Sequence, residues 1–527
     1  MTATMIDNDL LSQARAAVEV AQEAIQTGIA TAKASGTADQ DQQLVYSLAH
    51  AASAAAMAES ALTYAEIGQD EARLAHVFIG RQLSELASML WARSSDWGVE
   101  PSALDATRVY AAHVTAPAFV AAAAAAPGSS NLPDDLAMVA TTFRQFANER
   151  VAPHAEAIHR HDLDIPQEII DGVAELGCFG LSIPLEYDGS ASGSEDDYMA
   201  MVIATEELST ASLGAGGSLI TRPEILARAV EAGGTDEQKQ RWLPSISTGE
   251  TLCAVAVTEP DFGSDVANLK VSATPEEGGW RINGVKTWCT FAGRANALMV
   301  LARTNPDPDV KHRGLSLFVV DKPSDLGHDF RHEVDGGTLE GRAIATLGYR
   351  GMHSFEVSFT DWFVPAANMI GGDEGLGRGF YLQMAGFENG RIQTAARAIG
   401  VMQRAWEVAS EYANDRVVFG SPIAEYELTQ IKLGAMAAII QIGRQYSYEV
   451  ARKMAAGDGS LEASMAKAYL CKAAEWVTRE ALQIHGGMGY AEEYEVSRLF
   501  VDARVLSIFE GADETLCLKL IGRRLLA

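Results

Sequence analysis

Glu510 is the residue best suited to acid–base work in this chain of 527 residues. It follows Ile508-Phe509 and precedes Gly511. Such neighbours can hold a carboxylate in an apolar pocket, where desolvation raises its pKa towards the range of a general base. A Glu before a Gly is also an ordinary solvated helix end, so the segment gains meaning only from its company. Upstream, Val257-Thr258-Glu259-Pro260-Asp261-Phe262-Gly263-Ser264-Asp265 offers hydroxyls and backbone groups that can bond a polar ligand edge. Asn283-Gly284-Val285-Lys286-Thr287-Trp288-Cys289-Thr290 sets an indole between hydroxyls. Arg416-Val417-Val418-Phe419-Gly420 places a cation near an aromatic ring. Gln483-Ile484-His485-Gly486-Gly487-Met488-Gly489-Tyr490 carries glycines that permit close backbone approach, although a helix C-cap would look the same.

In this order the five segments resemble the acyl-CoA dehydrogenase family, and the resemblance runs from about Leu132 to the C-terminus. It implies FAD as cofactor, an acyl-CoA thioester as substrate, and Glu510 as the base that takes the α-proton. Removing two hydrogens from adjacent carbons also needs a hydride acceptor, which no side chain can be. No GxGxxG follows a strand and opens a helix, so a nicotinamide site of the Rossmann type is unsupported. Some family members carry the base on an earlier helix before an arginine; that position is Gly390, ahead of Arg391, and cannot serve. The resemblance further assigns Val257, Thr258, Ser264, Trp288 and Thr290 to the flavin, with Ser264, Glu388 and Arg391 near the substrate. It gives Arg416 and Phe419 to a neighbouring subunit's FAD, hence a homo-oligomer, dimer or tetramer. Gln483, Gly486 and Gly487 would hold the adenosine half. Two positions depart from the pattern: Ala512 replaces a threonine, and Glu427 a glutamine, with Gln430 nearby. His485 reads as structural as readily as functional.

A helical region before Leu132 and the ending Glu510-Gly-Ala-Asp-Glu-Thr515 resemble the branch of the family that oxidises (2S)-methylsuccinyl-CoA to mesaconyl-CoA in the ethylmalonyl-CoA pathway. Its electrons would pass to an electron-transfer flavoprotein. A carboxylate at the acyl end needs a cationic partner, because burying it unpaired is costly. Arg222, in Leu219-Ile-Thr-Arg-Pro223, is the candidate. Two competing readings stay on the same scaffold: a dehydrogenase for an uncharged short branched acyl-CoA, and an acyl-CoA oxidase. A non-catalytic scaffold sits poorly with the intact Glu510.

These residues need elements to carry them. Before residue 129 the chain is Ala-rich, and its apolar spacing predicts four helices near 6–33, 39–67, 70–96 and 102–125. Helical patterns continue to about 250, with loops at Asp188-Gly189-Ser190 and Gly233-Gly234-Thr235-Asp236. Strands are expected at 252–257, 280–282, 297–301, 315–320 and 355–359, with hairpin turns at Gly278-Gly279 and Asn283-Gly284. Long helices resume near 377–414, 427–456 and 461–485. The expected fold is mainly α with a central β domain: an extension over 1–128, an α-helical domain over 129–250, a β-domain over 251–370 and a C-terminal helical bundle over 371–527. That the β-domain is a barrel and the bundle four-helical comes from the resemblance.

Composition bounds the remainder. With 41 Lys+Arg against 70 Asp+Glu the net charge is −29, which argues against nucleic-acid binding, since that needs clustered cations. The cysteines Cys178, Cys253, Cys289, Cys471 and Cys517 lack CxxC spacing and read as reduced buried thiols, with no metal site expected. The apolar run 119–126 is too short for membrane insertion, and with no targeting pattern the expected location is cytoplasmic.

Overall fold

The computed structural model describes residues 8–36, 41–126 and 128–527. The expected helix starts at 6 and 39 lie outside this set, as does Pro127. The chain forms two compact units, Met1–Ala137 with Thr394–Ala527, and Met138–Gln393.

The first unit is helical. The extension contributes α1 (Asn8–Ser35), α2 (Gln42–Tyr64), α3 (Gln69–Trp97), α4 (Arg108–Val114) and α5 (Pro117–Ala123). The expected fourth helix is therefore broken. Pro117 forces Ala116 out of the helical region, to φ −57° and ψ 138°, because proline's ring clashes with a helical residue before it. Small residues let these helices approach closely. A Cβ on Gly28 of α1 would lie 2.8 Å from both Leu48 and Trp97.

The C-terminal part supplies the end of α12 (Gly379–Asp415), then α13 (Glu427–Ala455), α14 (Ser460–His485) and α15 (Glu495–Leu506). Here α5 lies so near α13 that a Cβ on Gly434 would sit 2.1 Å from the Val120 carbonyl oxygen. Extension and bundle share apolar contacts too: Ala49 is buried among Met465, Ala468, Cys517 and Ile521.

The second unit joins helices to a sheet. Its short helices are α6 (Asp134–Phe146), α7 (Ala152–His161) and α8 (Gln167–Glu175), with the first turn of α6 left in the other unit. Capping boxes at Ser194 and Thr235 start α9 (Glu195–Ala211) and α11 (Asp236–Ser247), on either side of α10 (Thr221–Gly233). Strands β1 (Cys253–Ala256), β2 (Ser272–Glu276), β3 (Gly279–Thr290), β4 (Ala297–Arg303), β5 (Leu315–Asp321), β6 (Asp329–Val334), β7 (Gly337–Ile344) and β8 (Ser354–Pro365) form one curled sheet. The order is β1-β4-β2-β3-β8-β7-β6, with β5 paired to β4. Buried residues of α10 and α11, including Leu226, Val230 and Trp242, pack with Met299, Leu301 and Leu317 of the sheet.

One expected turn is corrected. Glu276 pairs with Gly279, so the β2–β3 hairpin does turn at Gly278, where φ is +80°. Asn283-Gly284 makes no hairpin: it is a bulge inside β3, with Gly284 at φ +130° and Val271 too close for a side chain.

Candidate active site

In the sheet-containing unit, β1 runs out at Ala256 and delivers Val257 and Thr258. Lys286 holds this strand end in place. Its Nζ, fully buried, donates to the Val257 carbonyl and to Glu259 Oε1, both at 2.9 Å. Glu259 in turn accepts from the backbone N–H groups of Lys270 and Val271, at 2.8 Å each. Burial pushes the Lys286 ammonium down to about 8, against the pull of Glu259. The Thr287 N–H donates to the Thr258 carbonyl at 2.8 Å, completing the clasp. Register slips between Lys286 and Cys289, and in that irregularity Trp288 takes φ +56° with its indole 55% exposed. Thr290 is buried and its hydroxyl pairs with that of Ser354 at 3.0 Å. Ser264 lies on the exposed loop beyond Glu259.

The same unit carries Arg222, 5% exposed, in the first turn of α10, and Arg391, 7% exposed, on α12. Glu388 is half-buried on α12, and Gly390 supplies no carboxylate. Glu224, two residues after Arg222 on α10, accepts from Asn389 Nδ2 of α12 at 3.1 Å and from Gln393 of the same helix. Burial raises the Glu224 pKa, with Arg228, Asn389 and Gln393 opposing the rise.

In the helical unit Glu510 sits on the turn after α15, half-buried, with φ +53°; Gly511 follows at +100°. A non-glycine residue there is held against its preference. The surroundings are less apolar than the sequence suggests. The Arg397 guanidinium lies 4.7 Å from the centre of the Phe509 ring, and Lys467 Nζ donates to the Gly511 carbonyl at 2.6 Å. Burial lowers the Lys467 pKa, while the charges of Asp513 and Glu510 act the other way.

Arg416 and Phe419 occupy a two-residue hairpin whose turn, Phe419-Gly420, has φ +53° and +93°. Both side chains face solvent, Phe419 98% exposed. At the end of α14, Gln483, Gly486 and Gly487 are exposed, and a Cβ on either glycine would meet nothing within 4 Å. His485 is buried beside them, stacked on Tyr412 at 4.3 Å with Nδ1 2.8 Å from the Ala481 carbonyl oxygen. That is a structural role.

Family models for the acyl-CoA dehydrogenase N-terminal, middle and C-terminal domains match residues 133–250, 254–362 and 377–526. The chain belongs to the acyl-CoA dehydrogenase family. It is an FAD-dependent CH–CH oxidoreductase. The (2S)-methylsuccinyl-CoA dehydrogenase of Cereibacter sphaeroides is 44% identical over 400 residues, 76% of this chain and 71% of that one. Butyryl-CoA dehydrogenase from Megasphaera elsdenii superposes with a TM-score of 0.69 at 30% identity, covering 75% of this chain and 99% of that one. A glutaryl-CoA dehydrogenase from Mycobacterium smegmatis in complex with FADH2 gives 0.64 at 25%, covering 75% and 95%. Residues before 133 lie outside all three family models.

The residues present fit a flavin dinucleotide. In the sheet-containing unit a half-exposed indole at a strained bulge is a flat apolar cover for a ring system; taken by itself, the helical unit has exposed glycine backbone and an exposed arginine open to the polar groups of a nucleotide. Two contributors escaped the sequence reading. Lys286 and Glu259 stand inside the quoted motifs, yet a buried lysine announces itself only when its distant partner is seen. No helix among the described residues is long and apolar enough to cross a membrane.

Proposed function

We propose that the enzyme oxidises a short branched dicarboxylyl-CoA, (2S)-methylsuccinyl-CoA, to mesaconyl-CoA, with Glu510 as the base. The backbone of Glu510 carries the base assignment: a carboxylate held at φ +53° beside a glycine at +100° is kept there against its own preference. Glu510 accepts the α-proton as the α–β double bond forms. Bound FAD supplies the acceptor for the β-hydride. Val257, Thr258, Ser264, Trp288 and Thr290 hold and cover the ring system, and Gln483, Gly486 and Gly487 hold the adenosine half. Arg416 and Phe419 serve the FAD of a second subunit, which makes the enzyme a homo-oligomer; the exposed, strained Phe419 turn supports this. Ser264, Glu388 and Arg391 face the thioester substrate. The reduced enzyme passes its electrons to an electron-transfer flavoprotein.

The 44% identical methylsuccinyl-CoA dehydrogenase supports the substrate, as does the buried guanidinium of Arg222, which can pair with a carboxylate at the acyl end. Glu510→Gln keeps size but loses basicity. Flavin reduction by substrate should fall roughly 10²-fold or more with FAD content retained; near-normal reduction removes the assignment. Arg222→Ala should lose about 2–3 kcal/mol, roughly 30- to 150-fold in kcat/KM, on methylsuccinyl-CoA and far less on isobutyryl-CoA. Equal losses on both would make Arg222 structural. A wild-type enzyme that prefers isobutyryl-CoA would leave only the family-level activity.

A further inference from the structure

Asp513, three residues beyond Glu510, is where the N-terminal extension reaches the turn that carries the base. Its Oδ2 accepts from the Tyr46 hydroxyl at 2.5 Å and lies 3.2 Å from His50 Nε2, both residues of α2. Tyr46 and His50 are one helical turn apart, their rings edge-on at 4.7 Å. Lys472 Nζ donates to the Tyr46 oxygen at 2.8 Å and stands 3.8 Å from the same carboxylate. Burial alone would raise the Asp513 pKa; the hydrogen bonds from His50 and Tyr46 and the nearby Lys472 outweigh it, and the pKa is lowered. The Tyr46 phenol is pushed up by burial and by Asp513, so it remains a donor.

His50, Asp513 and Cys517 also bring three potential metal ligands together. Two observations count against a metal. The Lys472 ammonium stands 3.8 Å from the carboxylate, and the Tyr46 hydroxyl already donates to the same oxygen that a metal would take. The cluster is a hydrogen-bonded clamp.

What the clamp holds is a strained turn. Two successive residues, Glu510 and Gly511, have positive φ. The backbone closes around them through the Asp513 N–H, which donates to the Ser507 carbonyl at 3.1 Å. Ser507 is fixed by its hydroxyl bond to Glu475 at 2.5 Å, and Gly511 by Lys467 at 2.6 Å. Those anchors come from α14. At Asp513 the anchors come chiefly from α2, which lies outside the segments that the family models match.

We propose that Tyr46, His50 and Asp513 are positioning residues: the extension, through α2, sets the turn that presents Glu510 to the substrate's α-carbon. The proposal rests on Glu510 being the base. Displacing a catalytic group by about 1 Å costs up to roughly 10²-fold, so a clamp three residues away governs rate without touching substrate.

The test is anaerobic single-turnover reduction of the full-length FAD-loaded enzyme by α-deuterated and unlabelled acyl-CoA. The probe is methylsuccinyl-CoA or isobutyryl-CoA, whichever reduces the wild type faster. Tyr46→Phe deletes one oxygen and should slow the reduction step about tenfold. Asp513→Asn, which keeps the shape but loses the charge that His50 and Lys472 face, should slow it at least as much. In both, substrate Kd and FAD content should match wild type, and the α-deuterium isotope effect should rise. Wild-type rates and isotope effects in both variants would overturn the proposal. So would parallel loss of FAD or substrate binding, which marks a merely structural contact. If Asp513→Asn fails to fold, Tyr46→Phe decides alone. Glu510→Gln in the same experiment separates the two ideas: near-normal reduction there removes the base itself, whereas a dead Glu510→Gln beside wild-type Tyr46→Phe removes only the clamp.

Discussion

Trp288 and Glu510 solve the same backbone problem in different ways. Both are non-glycine residues at φ near +55°, at +56° and +53°, one on a strand and one on a turn after a helix. Two residues before Trp288, Lys286 forms a buried ion pair with Glu259, and the two bind each other and the backbone on either side of the β1 strand end. Glu510 is braced at its flanks: Gly511 by the buried ammonium of Lys467, and Ser507 and Asp513 by Glu475, Tyr46 and His50, which stay partly wet. A position that only has to stay still tolerates a buried charge pair. At Glu510, the proposed base, the supports are kept one or more residues away, which leaves the carboxylate itself accessible to exchange a proton.

Breaking the dry brace should have the largest effect. Lys286→Met leaves Glu259 buried without its cation, a loss of about 3–5 kcal/mol. Denaturant titration should show it, with loss of bound FAD; a change under 1 kcal/mol would mean the pair is dispensable.

A buried base of the other unit offers a pH contrast. His76 of α3 is buried, its Nδ1 2.8 Å from the Tyr110 hydroxyl. Burial, helped by His113, pushes its pKa from 6.5 down to about 4. As pH falls through 6.5 the unfolded chain binds a proton that the folded one refuses. Stability is therefore lost between about 6.5 and 4, by about 2 kcal/mol at pH 5. His76→Gln should flatten that slope. An unchanged acid limb in the variant would place the sensitivity elsewhere.

The smallest effect sharpens the comparison at the base. A Cβ on Gly511 would meet Leu516 at 3.1 Å in a conformation, φ +100°, that side chains avoid. Gly511→Ala should cost about 1–2 kcal/mol of stability and slow flavin reduction with FAD retained. Wild-type reduction would show that the turn need not be held so tightly.

The motifs and the long helices were legible in the sequence because both depend on local spacing. Glu510, Trp288 and the Gly486-Gly487 pair stand in short ordered strings, and α12 to α14 show helical periodicity over many turns. Strands β2, β6 and β7 were not visible. Asp329–Val334 and Ser272–Glu276 are polar, and the latter contains Pro275; such strands are defined by their neighbours more than by their own residues. Asn283-Gly284 carried the turn signal but is used as a bulge, Asn283 exchanging hydrogen bonds with Asp361 across β3 and β8. The Lys286–Glu259 brace and the Asp513 clamp join residues far apart along the chain, which no window of spacing reveals.

The partners in that clamp, Tyr46 and Asp513, are 467 positions apart. On a ribosome adding about 5–20 residues per second, α2 leaves the exit tunnel about 20–90 s before its partner exists. During that interval Ala49 lacks the C-terminal neighbours Cys517 and Ile521 that later cover it. The first helices of the chain are thus among the last to be finished. A truncation of even the final dozen residues should be felt at the N-terminus, as prolonged chaperone dependence and early proteolysis of the extension.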